Sequence, residues 1–310
     1  MRILVTGGAG FLGSHLCAKL LSDGHSVIAL DNLSSGTLDG IEELRENHHF
    51  EFVNADVREF LKFDVDGIFN LACPASPIHY QLNPVDTITT NFIGALNVLR
   101  LANELNCKVL QASTSEVYGD PEVSPQKEEY WGSVNPIGIR ACYDEGKRAA
   151  ETIFFDNWRE YGTKIKVARI FNTYGPGMRF NDGRVVSNFI HQALSGVDIT
   201  IYGDGSQTRS FCYVSDLIEG ISKLFYSTSN EPGPINLGNP QEIAIFDLAK
   251  IIIKLTNSDS RIIMKDLPSD DPKRRKPDIS KASNSLNWKP KVGVEKGLLL
   301  TILDFEKRLR

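Results

Sequence analysis

Residues 2–16 read RILVTGGAGFLGSHL, an apolar run, a glycine-rich turn and the start of an amphipathic stretch. The run predicts a buried strand from Arg2 to Thr6, and the following pattern predicts a helix from about Gly10 to Asp23. Glycines at 7, 10 and 13 allow a tight turn, close approach of backbone N–H groups to a pyrophosphate, and close packing of the helix on the strand. The context predicts a dinucleotide-binding turn, and the alternative is a tight strand-to-helix turn without a ligand.

Strand-like and helical patterns alternate after this turn, which predicts βαβ units and a parallel sheet with helices on both faces. After Arg169 the alternation weakens, and Gly, Asn, Arg and aromatic residues become common. A helix at Val214 to Leu224 and a strand at Pro234 to Leu237 would rejoin the sheet. The other predicted strands are Ser26 to Leu30, Phe50 to Asn54, Gly67 to Leu71, Lys108 to Ala112 and Ile165 to Arg169, and the other helices are Val85 to Leu105 and Tyr143 to Tyr161.

The prediction is therefore an α/β protein with a Rossmann-type doubly wound parallel sheet and a smaller, discontinuous C-terminal substrate domain. The dinucleotide-binding domain would span 1–170 and be rejoined by about 211–240. The substrate domain would comprise 171–210 and 241–310.

Composition limits the classes of function. The chain has 310 residues, 41% hydrophobic and 24% charged, which is typical of a globular protein. Its net charge of −5 argues against a general nucleic-acid surface. No apolar run is long enough to span a bilayer, and strand-like residues begin directly after Met1, so we expect a soluble cytoplasmic protein without a membrane partner. Five scattered cysteines without a CxxC pair predict neither disulfides nor a metal site.

Acidic residues at two predicted strand ends indicate the type of dinucleotide. Asp31 ends the second strand, where a carboxylate accepts hydrogen bonds from the adenosine ribose and repels a 2′-phosphate. The following residues, Asn32 to Gly36, contain no arginine, so NAD is favoured over NADP; the alternative is a strand-end turn residue. Asp56 is a predicted adenine contact, with a helix N-cap as the alternative.

Two further motifs predict oxidation chemistry at a sugar hydroxyl. Tyr143 and Lys147 are spaced i, i+4 and share one helix face. The phenol has an ordinary pKa of about 10, and we expect a neighbouring ammonium and the positive nicotinamide to lower it. Residues 113–119 read STSEVYG and follow a buried strand, so their hydroxyls and Glu116 would stand at the mouth of the sheet. Together with the glycine turn, these motifs predict an NAD-dependent enzyme with a tyrosine base.

The chain resembles the extended short-chain dehydrogenases/reductases and, more narrowly, the UDP-glucuronate decarboxylases, also called UDP-xylose synthases. The glycine turn and YxxxK mark only the superfamily. The decarboxylases are marked by the stretches PASPIHY, STSEVYGDP, CYDEGKR and DDPKRRKPD. GGAGFLGSHL, RIFNTYGPGM, DGRVVSNF, YGDGSQTRSF and YVSDL also match, so the resemblance covers essentially the whole chain.

The resemblance implies a reaction and a set of residues. UDP-glucuronate would be oxidised at C4, lose carbon dioxide as a β-keto acid, be protonated at C5 and be reduced again at C4 to UDP-xylose, with NAD regenerated. The implied catalytic residues are Tyr143 as base, Lys147, Thr114, Ser115, Glu116 and Arg275. The predicted cofactor-binding residues are Gly7, Gly10, Phe11, Leu12, Gly13, Asp31, Asn32, Ser34, Ser35, Gly36, Asp56, Val57, Ala72, Thr90, Ser113, Tyr143, Lys147 and Thr173. The predicted UDP-sugar-binding residues are Tyr80, Glu116, Tyr143, Asn172, Arg184, Val185, Asn188, Tyr202, Gln207, Arg209 and Arg275.

Several alternatives stay open. Thr114 and Ser115 could only cap the strand end, Glu116 could be a solvated turn carboxylate or relay a proton, and the run Lys273 to Lys276 could be a solvated basic stretch. A 4-epimerase, a 4,6-dehydratase or an NAD-binding sensor without catalysis are the competing functions. Ser115 occupies the position at which a dehydratase would carry the aspartate that acts as the acid for water elimination. Serine cannot readily supply that proton, so elimination is disfavoured. Relatives are often dimers through helices, so we expect a homodimer through the helices that begin near Val85 and Tyr143.

Overall fold

The computed structural model describes residues 1–266 and 274–309, in which the chain alternates strands and helices as the sequence predicts. The strands are β1 (Arg2–Thr6), β2 (Ser26–Asp31), β3 (Phe50–Asn54), β4 (Gly67–Asn70), β5 (Lys108–Thr114), β6 (Ile165–Ile170), β7 (Thr173–Tyr174), β8 (Ile199–Tyr202), β9 (Thr208–Ser210), β10 (Cys212–Tyr213), β11 (Ile235–Leu237), β12 (Glu242–Ala244), β13 (Ile262–Lys265) and β14 (Arg274–Arg275).

The helices are α1 (Phe11–Ser22), α2 (Pro77–Leu82), α3 (Pro84–Leu105), α4 (Ala141–Tyr161), α5 (Val185–Leu194), α6 (Val214–Tyr226), α7 (Ile245–Thr256), α8 (Ser280–Leu286) and α9 (Val294–Leu309). Two 3-10 segments, Leu38–Glu46 and Ser115–Tyr118, follow β2 and β5. None of the helices in the described part of the chain has the length and apolar character needed to cross a membrane.

Seven strands form one parallel sheet in the order β11-β6-β5-β4-β1-β2-β3. The strand order reverses direction between β1 and β4. In doubly wound folds, ligands bind outside the carboxyl ends of the strands at such a switch point. The predicted fold class is confirmed.

Alternate residues of the strands face opposite layers of helices, because successive strand side chains point to opposite faces. Ile3 and Val5 belong to a core with side chains of α1 and α6. Leu4 and Ile28 belong to a second core with side chains of α3 and α4. The near-continuous apolar character of these strands follows from burial on both sides.

The later part of the chain packs across the carboxyl edge of the sheet. Its described residues form three small sheets, β10-β7, β12-β9-β14 and β13-β8. In the second of these, Arg275 on β14 pairs in register with Arg209 on β9. This pairing brings a segment near the C-terminus to the mouth of the main sheet.

The predicted elements form, with shifts at their ends. β11 pairs with β6, so the chain does rejoin the sheet after Val214 as predicted. The strand predicted to end at Ala112 continues to Thr114, because Ser113 and Thr114 pair with Arg169 and Ile170 of β6. The short helix α2 and the 3-10 segments were not predicted, since they are too short to give a helical period. The helices α5, α7, α8 and α9 and the strands of the small sheets were not predicted either, because the regular alternation weakens after Arg169.

Candidate active site

A continuous cleft of about 1360 Å³ runs along the carboxyl ends of the parallel strands. Residues after β1, β2, β3, β4, β5 and β6 line one side, and residues of the later segments line the other. Every predicted site residue except Gly36 lines this cleft. Gly36 lies beside it, since a Cβ at this position would be 2.9 Å from the Asp31 carboxylate.

The glycine turn has the geometry that a pyrophosphate requires. Gly7 has a φ of +70°, and a Cβ at Gly13 would lie 2.0 Å from the Gly7 carbonyl oxygen. A Cβ at Gly10 would meet only that same oxygen among the described residues, at 3.2 Å, so the space over Gly10 is open. No side chain caps α1 and its first turn carries no acidic residue, so its first N–H groups are available to an anion. These features fit the phosphates of NAD.

The Asp31 carboxylate, at the end of β2, binds the backbone of two loop segments. It accepts hydrogen bonds from the backbone N–H of Ala9 at 3.1 Å and of Leu33 at 2.8 Å. Burial raises the pKa of Asp31, and these hydrogen bonds oppose the rise. An arginine that local sequence did not reveal, Arg179, reaches the neighbouring Gly36 carbonyl oxygen at 2.9 Å.

Asp56 is bound on both oxygens. Arg58 donates to it from Nε at 3.0 Å and from Nη2 at 2.8 Å, and Asn32 donates from Nδ2 at 2.9 Å. Hydrogen bonds from Arg58 lower the pKa of Asp56 to about 2, against the effect of burial. Asp56 begins a turn rather than a helix, so the alternative of a helix N-cap is wrong.

The STSEVYG stretch and α4 meet at the centre of the cleft. Thr114 ends β5, and its hydroxyl accepts the backbone N–H of Glu116 at 3.2 Å and forms a hydrogen bond with Tyr143. Ser113 points to another partner: its hydroxyl donates to Glu151. The hydroxyls of Ser113 and Thr114 thus have different partners, and the Thr114 hydroxyl is the one next to the proposed base, Tyr143.

Tyr143 and Lys147 lie on one face of α4, as the spacing predicts. The Lys147 ammonium lies 5.8 Å from the centre of the Tyr143 ring and donates to the Ala112 carbonyl oxygen at 2.9 Å. Burial raises the pKa of Tyr143 above its ordinary value and lowers that of Lys147. The expected lowering of the Tyr143 pKa is therefore not present in the chain by itself, since burial raises the pKa and the hydrogen bond with Thr114 opposes the rise only in part.

Tyr80 packs against this pair. Its ring is stacked on that of Tyr143, with centroids 5.1 Å apart and an interplanar angle of 10°. Its hydroxyl is buried and has no hydrogen-bond partner among the described residues. The packing fixes the orientation of the Tyr143 ring from one side.

Glu116 is bound by two arginines. Arg275 donates to both of its oxygens, and Arg140 donates from Nη2 to Oε2 at 2.7 Å. The side chains of Arg275, Glu116 and Arg140 are only 6%, 13% and 15% exposed. Burial alone would raise the pKa of Glu116, but the two guanidinium charges outweigh it and lower the pKa to about 2. Glu116 is therefore an ionised, buried carboxylate and not a solvated turn residue.

Asp144 adjoins this ionic group. It is buried, and burial and the Glu116 charge raise its pKa to about 7, although Arg140 and Arg275 act in the opposite direction. Sequence reasoning missed both Arg140 and Asp144. Their i, i+4 spacing would have put them on one helix face, but the helix was predicted to begin only at Tyr143, whereas in the structure Arg140 is the residue that precedes its first turn.

The far end of the cleft is formed by the later segments. Arg184 precedes α5 and is paired with Asp182. Arg209 is buried, whereas Tyr202 is 46% exposed and its carbonyl oxygen accepts a hydrogen bond from Gln207 at 2.6 Å. The other predicted residues of this end that line the cleft are Asn172, Thr173, Val185 and Asn188. Of the basic run, Lys273 lies outside the described residues.

Comparison with known proteins identifies the family. Residues 3–238 match the NAD dependent epimerase/dehydratase family. The chain belongs to this family. Membership confirms NAD as the cofactor that the glycine turn and Asp31 predict.

Within the NAD dependent epimerase/dehydratase family, the chain is 54% identical over 310 residues to UDP-glucuronic acid decarboxylase 6 of Arabidopsis thaliana, covering 100% of this chain and 90% of that protein. It therefore belongs with the UDP-glucuronic acid decarboxylases. Its structure is similar to that of UDP-glucose 4-epimerase of Thermotoga maritima with UDP-glucose, with a TM-score of 0.91, 31% identity and coverage of 100% of both chains. It is also similar to UDP-glucuronic acid 4-epimerase of Bacillus cereus in complex with UDP-glucuronic acid and NAD, with a TM-score of 0.89, 28% identity and coverage of 100% of both chains.

Proposed function

We propose that this protein converts UDP-glucuronate to UDP-xylose and carbon dioxide, with NAD regenerated in each cycle. The observation that carries the proposal is the buried cluster of Arg275, Glu116 and Arg140 near Tyr143, because it puts carboxylate-binding cations beside a group able to take a sugar proton. The 54% identity to an Arabidopsis UDP-glucuronic acid decarboxylase supports the same reaction.

The reaction follows from the position of the substrate carboxylate. Bound NAD supplies the oxidising power at sugar C4 and gives it back at the end of the cycle. A ketone at C4 makes the C6 carboxylate a β-keto acid, so the C5–C6 bond breaks with its electron pair moving into an enolate. Carbon dioxide leaves, C5 takes up a proton, and reduction at C4 gives the pentose.

We assign the proton at the C4 oxygen to Tyr143. Thr114 hydrogen-bonds with Tyr143 and would also bind the sugar oxygen, while the stacked Tyr80 holds the ring in place. Because burial keeps the phenol neutral, ionisation of Tyr143 requires additional positive charge in the bound complex. Lys147, buried and directed at the Ala112 carbonyl oxygen, would bind the nicotinamide ribose and contribute part of that charge.

Glu116 serves as a counter-ion in this proposal. With a pKa of about 2 it holds no proton to donate near neutral pH, so a role in proton relay is disfavoured. It fixes Arg275, which we assign to the substrate carboxylate. Ser115, which is buried and lines the cleft, would help position the sugar.

The UDP group would occupy the far end of the cleft. We assign the diphosphate to Arg184, Arg209 and Asn172, since an acidic chain needs local cations to bind it. Val185, Asn188, Tyr202 and Gln207 would surround the uridine. The division into an NAD-binding domain over 1–170, rejoined at about 211–240, and a UDP-sugar domain over 171–210 and 241–310 is proposed on the same basis, as is a cytoplasmic location.

We also propose that the protein forms a homodimer through α3 and α4. Val85, Ile88, Phe92 and Leu96 follow helical spacing on α3 and are 72%, 38%, 45% and 43% exposed. On the adjacent α4, Trp158 is 40% exposed. A contiguous apolar face of this kind is unusual on a monomer, and a second copy of the chain would bury it.

The proposed reaction is tested by incubating the protein with UDP-glucuronate and NAD, separating the nucleotide sugars by chromatography that resolves epimers, identifying them by mass spectrometry and measuring carbon dioxide release. We expect a UDP-pentose and carbon dioxide in equal amounts. An isomeric UDP-uronate without carbon dioxide would instead indicate a 4-epimerase, and recovery of unchanged substrate would refute both activities.

A further inference from the structure

Unpartnered polar atoms are concentrated around Glu116. In the described part of the chain, four of the nine buried side-chain nitrogen or oxygen atoms without a hydrogen-bond partner belong to this region: Tyr80 Oη, Arg140 Nε, Asp144 Oδ1 and Arg275 Nε. Buried polar groups are normally paired, so unpaired ones gathered at one place indicate a site that a polar ligand completes.

The charges of the same region also do not cancel. Arg140 and Arg275 contribute two positive charges and Glu116 one negative charge. Asp144 contributes less than a full negative charge near neutral pH, since its pKa is about 7. Buried cations require a counter-charge, and this cluster lines the cleft through Arg140, Arg275 and Glu116. One further carboxylate would balance it.

We propose that Arg140 and Arg275 together bind the C6 carboxylate of the uronosyl substrate, and that binding is coupled to uptake of a proton by Asp144. This inference rests on the proposed function and extends it from one arginine to two. Glu116 holds both guanidinium groups in position, and Arg140 makes the site selective for an acidic sugar over a neutral one. Arg140, at the N-terminal end of the helix that carries Tyr143, is thus a specificity-determining residue.

The coupling follows from the groups that face Asp144. Glu116 from the turn after β5 and Glu145 on the same helix disfavour its ionisation, while Arg140 and Arg275 favour it. Tyr80 on α2 and Tyr143 also lie within electrostatic range, and both are neutral because burial raises their pKa values. A substrate carboxylate adds a negative charge to this group and shifts Asp144 toward its protonated form.

The first experiment compares ligand binding to wild type and Arg140→Met by calorimetry, with the protein loaded with NADH, which cannot oxidise C4 and so prevents turnover during the titration. We expect the affinity for UDP-glucuronate to fall at least ~30-fold and the affinities for UDP-glucose and UDP to change less than ~3-fold. Arg140→Lys, which keeps the charge without the guanidinium, should fall between them. Arg159→Met is the matched control, since Arg159 lies on the same helix in an exposed ion pair with Asp156.

Retained UDP binding shows that the Arg140 variants are folded. Equal losses for UDP, UDP-glucose and UDP-glucuronate would make Arg140 a structural residue and overturn the inference, as would unchanged binding of all three. The proposed function fails separately, if wild type releases no carbon dioxide from UDP-glucuronate. Equal wild-type affinities for UDP-glucuronate and UDP-glucose would instead overturn the inference.

The second experiment measures proton uptake on binding to the same NADH-loaded protein, in which no decarboxylation occurs, by calorimetry in buffers of different ionisation enthalpy. At about pH 7, binding of UDP-glucuronate should be accompanied by the uptake of at most about half a proton more than binding of UDP-glucose. This difference should shrink at about pH 5.5, where Asp144 is already protonated. Asp144→Asn should abolish the difference while still binding NAD. An equal proton count for the two sugars in wild type would overturn the coupling.

Discussion

A methyl group added at Gly13 should mainly reduce the stability of the fold, whereas one added at Gly10 should mainly reduce NAD binding. In Gly13→Ala the new Cβ would lie 2.0 Å from the Gly7 carbonyl oxygen and 2.8 Å from the Gly8 Cα. Both are backbone atoms that cannot rotate away, so α1 must move off β1. In Gly10→Ala the Cβ would meet the Gly7 oxygen at 3.2 Å, which a shift of a few tenths of an ångström relieves.

The expected magnitudes differ accordingly. Overpacking costs about 1–3 kcal/mol and more when backbone must move, which exceeds the ~1 kcal/mol that alanine gains over glycine inside a helix. Gly13→Ala should therefore lower the free energy of unfolding by ~2 kcal/mol or more, and the Tm by several degrees. Gly10→Ala should cost about 1 kcal/mol or less, since Gly10 precedes the helix with a φ of −78° that alanine adopts, and alanine is only a poorer N-cap than glycine.

The two variants separate again when NAD is added. A ligand that binds only the folded state at about 100 times its Kd stabilises by ~2.7 kcal/mol, so NAD should raise the Tm of wild type. Gly10→Ala should lose most of that increase, because its methyl group occupies the space over which the pyrophosphate approaches the backbone. Circular dichroism melts with and without NAD, on protein stripped of nucleotide, give both values. A full NAD-dependent increase in Gly10→Ala, or a wild-type Tm for Gly13→Ala, would refute the reasoning.

Three further changes test other parts of the molecule. Tyr143→Phe should abolish carbon dioxide release while calorimetry still detects NAD binding, and near-normal turnover would exclude Tyr143 as the base. Asp144 has a folded-state pKa raised to about 7 by burial and Glu116, so its native state retains a proton that the unfolded chain releases near pH 4. Its contribution to stability thus falls between about pH 4 and pH 7, and Asp144→Asn should gain stability relative to wild type over that range in urea melts; a constant difference would contradict this. Phe92→Asp should halve the mass measured by light scattering, whereas Leu303→Asp, 52% exposed on α9, should not; an unchanged mass in both would refute the dimer.

The sequence was sufficient where a signal is local and periodic. β1, β2 and β3 are apolar runs bounded by turns, and α3 and α4 carry their apolar residues at helical spacing, so their positions follow from burial on a parallel sheet. β5 was predicted two residues short because Ser113 and Thr114 are polar. Their backbone groups nevertheless continue the pairing with β6, and a backbone ladder does not depend on side-chain polarity.

Contacts between distant segments could not be predicted in the same way. Arg275 and Glu116 are separated by 159 positions, and only the resemblance to a family connected Arg275 with the sugar. Arg179 reaches Gly36 from 143 positions away, so a local search around Asp31 for an arginine missed it. The pKa of Tyr143 shows a related limit: counting neighbouring charges predicts a decrease, whereas the depth of burial, which sequence does not give, raises it.

The single carboxylate of STSEVYG has a physical consequence for catalysis. Decarboxylation moves negative charge from the carboxylate to the C4 oxygen, so cations held on the carboxylate stabilise the ground state more than the transition state. Glu116 offsets part of the charge of Arg140 and Arg275, and it thereby positions them without binding the substrate too strongly. Glu116→Gln should then lower both KM and kcat for UDP-glucuronate, the pattern expected when ground-state binding is strengthened. It should also reduce stability by ~3–5 kcal/mol, since two buried guanidinium groups lose their counter-ion. Steady-state kinetics below the melting temperature decide the matter: a raised KM would show that Glu116 binds the sugar itself, and an unchanged kcat would show that its charge has no part in the chemical step.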